Sequence, residues 1–175
     1  MNNKIQIIVQ VNVITPFKYH VLDHTGNVIK EDNSDNAKFE LELKSNRIYQ
    51  IIIDNKLTTI FNTNTDIKKE ITVNVLTTVA SVFCFNQLLD KYAHLKEITN
   101  KDVSDNDVRL NVALAMMSNF VSDNGKISDP IKTSPNALET NGLRLFNFLS
   151  NITADAIINP KTDKALAHIT NHNNI

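Results

Sequence analysis

The constraint that most limits this chain is a change of period near residue 76. Before it, apolar and polar residues alternate with period two, and after it apolar residues recur at helical spacing. A chain cannot serve both periods with one kind of element, because strands project side chains to alternate faces and helices gather them every three to four positions. The pattern therefore predicts an α+β fold with segregated halves: an N-terminal antiparallel β-sandwich of about seven strands over 1–76, and a C-terminal region of three to four helices over 77–175 packed on it or beside it.

The strand signals are local. Ile5, Ile7, Val9, Val11 and Val13 alternate with Lys4, Gln6, Gln10 and Asn12, and only Ile8 breaks the rule, so Lys4 to Ile14 reads as a long strand with one buried face. Thr15-Pro16 ends it. Phe17, Tyr19 and Val21 begin a second strand, and Asp23 to Asn27 is a turn in which Gly26 accepts positive φ. Val28-Ile29 starts the return, and Glu31 to Asn36 reads as a polar loop. Further strands are centred on Phe39 to Leu43, Ile48 to Asp54, Leu57 to Phe61, and Ile71 to Val75, with turns at Ser45-Asn46 and Asn55-Lys56 and a loop from Asn62 to Asp66.

Helical spacing then takes over. A first helix is predicted from about Thr78 to Glu97, with Thr77 or Thr78 as N-cap. A second starts at Ser104-Asp105-Asn106-Asp107, which has the form of a capping box, and its apolar residues, Leu114 among them, surround it almost completely, as in a central buried helix. A third opens at Ser134-Pro135 and ends at Asn159-Pro160, after a polar loop over Ser122 to Thr133. A short terminal helix is placed over Thr162 to Ile169.

The segments Val21 to Ile29, Lys38 to Leu41 and Tyr49 to Ile53 together resemble the carboxypeptidase-regulatory-like modules, which are transthyretin-like (prealbumin-like) sandwiches of bacterial surface and periplasmic proteins. That pattern usually has a glycine before the phenylalanine strand, where this chain has Ala37-Lys38, and a Gly-rich turn where it has Asn55-Lys56. The run Val73 to Ala80 is similar to the junction that leads from such sandwiches into a helical region. The resemblance covers about the first 75 residues. It implies a non-enzymatic structural or protein-binding module at a bacterial cell envelope or secreted. The alternative is an intracellular component or effector of a bacterial secretion system that acts through protein contacts.

Composition removes several chemistries. Three glycines in 175 residues supply no phosphate-cradling loop, and no Gly-x-Ser-x-Gly elbow is present. A net charge of −1 with dispersed cations gives no footprint for nucleic acid. No run is long and apolar enough for a membrane span, and the N-terminal stretch lacks the small-residue cleavage site of a signal peptide. The single cysteine, Cys84, lies between Phe83 and Phe85 and reads as packing. Tryptophan is absent, which lowers the odds of a sugar-stacking face.

Catalytic, cofactor-binding and metal-ligating residues are accordingly expected to be none, and no cofactor is expected. The groups weighed were His168 with His172, His20 with His24, the isolated His94, and the acidic run Glu31, Asp32 and Asp35. Asp123-Asn124-Gly125 resembles the middle of a calcium loop, but its first and twelfth positions would be Phe120 and Ile131, which carry no carboxylate. The partner expected is a protein, with a homo-oligomer through an edge strand as one form. Lys4 to Ile14 is β-branched and nearly uncharged, so at an edge it would pair readily and Ile8 would be its exposed anchor. The other reading is a central strand, or Ile8 packed beneath the helical half.

Overall fold

The computed structural model describes residues 3–11, 15–55, 57–64, 67–81, 92 and 94–118. Seven strands form two layers. They are β1 (Lys4–Val11), β2 (Phe17–Leu22), β3 (Val28–Ser34), β4 (Lys38–Lys44), β5 (Ile48–Ile53), β6 (Leu57–Asn62) and β7 (Lys68–Val73). Helical residues 75–81 form α1, and Asn100–Met117 form α2. The third predicted helix, the terminal helix and the polar loop before them lie outside the described residues.

One sheet has the order β4-β1-β7 and the other β3-β2-β5-β6. The alternation predicted for β1 is observed: Ile5, Ile7, Val9 and Val11 are all at most 1% exposed and face the second sheet's Val21, Ile51 and Ile53, which are fully buried. Fully burying such an aliphatic side chain is worth about 1.5–3 kcal/mol, so these two rows are the main source of cohesion. Across the gap Phe39 of β4 stacks on Tyr19 of β2, ring centroids 4.5 Å apart, and tilts against Phe17 at 5.7 Å. Thus β4 lies over β2, and β7 touches β6.

Several expectations are corrected. The sandwich is not purely antiparallel, because β1 pairs with β7 in parallel, from Gln6 opposite Lys68 to Val11 opposite Val73. Of the two readings of Lys4–Val11 the central strand is the one observed: β1 is hydrogen-bonded to β4 on one side and β7 on the other and is no edge. Ile8, on the face away from the main core, is itself buried at 6%. Residues 12–14 lie outside the description. Glu31 to Ser34 is strand rather than loop, because it continues the pairing of β2 with β3 down to Phe17 opposite Ser34. Its polar composition carries no alternating apolar mark, and Ser34 is its one buried residue.

The last strand stops at Val73, and Val75 belongs to α1. The cap of α1 is Asn74, not Thr77 or Thr78: its Oδ1 accepts from Thr77 N at 2.8 Å, and Thr77 Oγ1 accepts from Asn74 N at 2.9 Å. α2 starts four residues earlier than predicted, with Thr99 and Asp102 as the reciprocal capping box. Nor is α2 buried all round. Val103, Asn106, Ala113 and Met117 are buried, whereas Val108, Val112 and Met116 are 62%, 51% and 43% exposed. The buried face joins the same apolar cluster as the sandwich, together with Val79, Tyr92 and Ile98.

Candidate functional site

Two features of the sandwich offer surfaces for chemistry: its unequal sides, and a cleft at one end.

The outer edge of β6 is covered by α1. Thr58 N donates to Thr78 Oγ1 at 3.0 Å, Ile60 N donates to Ser81 Oγ at 2.9 Å, and Thr77 Oγ1 donates to Thr58 O at 3.1 Å. Hydroxyls one helical turn apart thus take the place of a neighbouring strand. Beside it, Lys69 occupies the inward series of β7, opposite core residue Ile7, and donates to Asn62 O at 2.6 Å and Asn62 Oδ1 at 3.0 Å. Burial lowers the Lys69 pKa, and the nearby carboxylate of Asp107 opposes that shift. Asn62 in turn donates to Asp107 Oδ1 at 3.0 Å, tying both sheets to α2. The neighbouring Asn106 Oδ1 is buried without a hydrogen-bond partner.

The opposite side is open. Among the described residues no strand pairs with the outer edge of β3 or of β4. At the start of β3, Val28 and Ile29 are 54% and 47% exposed, and Ile29 is the extra residue of an irregularity in the pairing with β2.

The cleft lies where the β2–β3 turn, the start of β1 and the β4–β5 turn converge. Its volume is about 410 Å³, in the range of small-ligand sites. Leu43, Ile48 and Tyr49 form an apolar floor, each at most 6% exposed. Lys4, Lys30, Lys44 and Arg47 stand on its walls with Asp23 and Glu42. Asp23 is engaged in its own turn, accepting from Thr25 N at 2.9 Å and Asn27 N at 3.1 Å and from the Thr25 hydroxyl. Partial burial pushes its pKa up, but these hydrogen bonds outweigh it and hold the carboxyl below its ordinary value. Glu42 lies 3.9 Å from Lys4. Arg47 follows Asn46, which has a left-handed backbone (φ 53°), and Arg47 N donates to Thr63 Oγ1 at 2.9 Å. The Tyr49 hydroxyl donates to Lys44 O over 3.4 Å, long for an O–H···O bond. Burial raises the Tyr49 pKa.

The groups weighed from sequence are not brought together. His20 lies 3.5 Å from Glu31 across the β2–β3 pair, and Lys18 also pairs with Glu31, holding its pKa below the ordinary carboxylate range. His24 Nε2 donates to Leu95 O at 2.8 Å, pinning the turn to the segment before α2. His94 is exposed. Glu31 and Asp32 sit in β3, where neighbours point to opposite faces. Among the described residues no group of three or more His, Cys, Asp or Glu could hold a metal ion, and no helix is long and apolar enough to cross a membrane. Cys84, Asp123, His168 and His172 lie outside the described residues. The cleft has no mark in the sequence because Lys30 lies fourteen residues before Lys44 and all three cations, Arg47 included, look like dispersed solvated ones.

No family model matches the chain, and no curated protein matches it. Among solved structures, a crystal structure of S.CueP aligns with 42% of this chain at 16% identity and a TM-score of 0.32. The aligned part spans 63% of that protein, less than two thirds of its length. A likeness at that score carries no argument about fold or function.

Proposed function

We propose that this chain is a non-enzymatic, protein-binding module that accepts a partner's strand on its open margin, and that it serves in a bacterial envelope or secreted protein. The observation that supports binding is the asymmetry of one sheet: its β6 edge is closed by the hydroxyls of α1, while its β3 edge is unpaired among the described residues and carries exposed Val28 and Ile29. Backbone groups on an unpaired edge hydrogen-bond an incoming strand, and exposed apolar side chains add selectivity. Lys30, Glu31 and Asp32 on the same strand discourage indiscriminate pairing. The envelope or secreted setting rests on the resemblance of the first 75 or so residues to transthyretin-like modules.

A photo-crosslinking amino acid placed at Ile29, and separately at exposed Thr72, tests this in cells. The expected result is a discrete protein adduct from position 29 that is lost in the Val28→Lys background. No adduct at 29, or the same adducts from both positions, overturns it.

A further inference from the structure

We infer that the cleft between the β2–β3 and β4–β5 turns binds a small ligand bearing one oxyanion, a carboxylate or a phosphate, on an apolar body. The argument starts with charge. Four permanent cations line the cleft against two carboxylates. One of those carboxylates, Asp23, is consumed by its own turn, and the other, Glu42, lies beside Lys4. Lys30, Lys44 and Arg47 are left with no carboxylate within ion-pair distance among the described residues. Like charges gathered around a concavity repel one another and raise the local potential, and an anion that enters relieves both effects.

Geometry points the same way. Arg47 is half-buried, and its backbone is fixed on both sides, its N–H donating to Thr63 Oγ1 at 2.9 Å and its carbonyl accepting from Thr63 N at 3.0 Å. Among the described residues only its Nη1 has a protein acceptor, Asn46 O at 3.0 Å, so most of the guanidinium fork is available to a planar oxyanion. Tyr49 is 5% exposed, and among the described residues its hydroxyl makes a single long bond, leaving a buried donor that a ligand oxygen would satisfy better. Beneath these polar groups Leu43 and Ile48 offer an apolar floor, which favours a ligand with a body over a bare ion. Binding here is independent of strand addition at β3, although Ile29 and Lys30 border both surfaces.

The test is an amide NMR titration of the whole chain at constant ionic strength with two probes, inorganic phosphate and benzoate. Saturable shifts confined to residues 23–30 and 42–49 are expected, and the tighter probe identifies the head group. Arg47→Gln and Lys30→Gln should each weaken that binding by about tenfold, as the loss of a charge-assisted hydrogen bond does. Should Arg47→Gln disturb the fold, Lys30→Gln, on the strand margin, carries the comparison. No saturable shift with either probe, or shifts that survive Lys30→Gln unchanged, overturns the inference.

Discussion

The backbone N–H of Thr58, the second residue of β6, donates to the side-chain oxygen of Thr78 at 3.0 Å. Thr58 is 1% exposed and Thr78 fully buried, so no water replaces that bond. A strand edge is thus satisfied by a helix side chain lying twenty residues further along the chain.

Removing that acceptor should be costly. Thr78→Val keeps the shape and strands a buried N–H, a loss of about 1–3 kcal/mol, whereas Thr78→Ser keeps the oxygen and should lose much less. Urea unfolding of the two variants separates them. Equal losses would show that the methyl group, and not the hydrogen bond, holds α1 to β6.

On α2 the two faces should respond differently. Met117, 1% exposed, belongs to the common core, and Met117→Ala should cost about 2–5 kcal/mol. Leu114 is only partly buried against that core and should cost less, and Val112→Ala, at a position 51% exposed, less than about 0.5 kcal/mol. Chemical denaturation that ranks the three otherwise would show that α2 packs in another rotation.

Lys69 should leave an alkaline signature. Its folded pKa lies below the ordinary 10.5, so between the two values the unfolded chain holds more protons and stability rises with pH. The wild type should therefore gain on Lys69→Met as pH is raised from the folded pKa toward 10.5, measured as the difference in unfolding free energy. A pH-independent difference would place the ammonium in solvent.

Asp23 acts in the opposite window. Its folded pKa is depressed below 3.8, so its contribution is present above that value and is lost as pH falls through the folded one. Asp23→Ala should be less stable by about 1 kcal/mol near neutral pH, a figure kept small because the carboxylate is partly exposed. The gap should close in acid. A gap that persists at a pH below the folded pKa would mean that the turn is lost for steric reasons instead.

The strands were legible wherever one face is buried. Ile5 to Val11 and Ile48 to Ile53 alternate because each has a layer above it, and their limits were read within a few residues. β3 was read short because its residues are mostly exposed and polar, so they carry no apolar alternation. Pairing was illegible altogether: nothing local in Lys4 to Val11 says that β7 will lie alongside it in parallel. Helix starts were misplaced because several Ser, Thr, Asp and Asn residues near each N-terminus have capping chemistry, and tertiary contact selects among them. The cleft was hidden for a related reason. Lys30 meets Lys44 and Arg47 only where the start of β3 converges with the β4–β5 turn.

The parallel pairing of β1 with β7 bears on the order in which the molecule is built. Of the seven strands described, β1 is synthesised first and its second neighbour, β7, last. Until Val73 has left the ribosome one side of β1 is unmatched, and the β-branched row that ends up at the centre of the sheet is open to other chains. Such long-range closure is slow compared with hairpin formation. The segment most protected in the finished fold is therefore the most vulnerable during translation, and Gln6 and Gln10, with Lys4 ahead of them, are the only polar breaks along it in that interval.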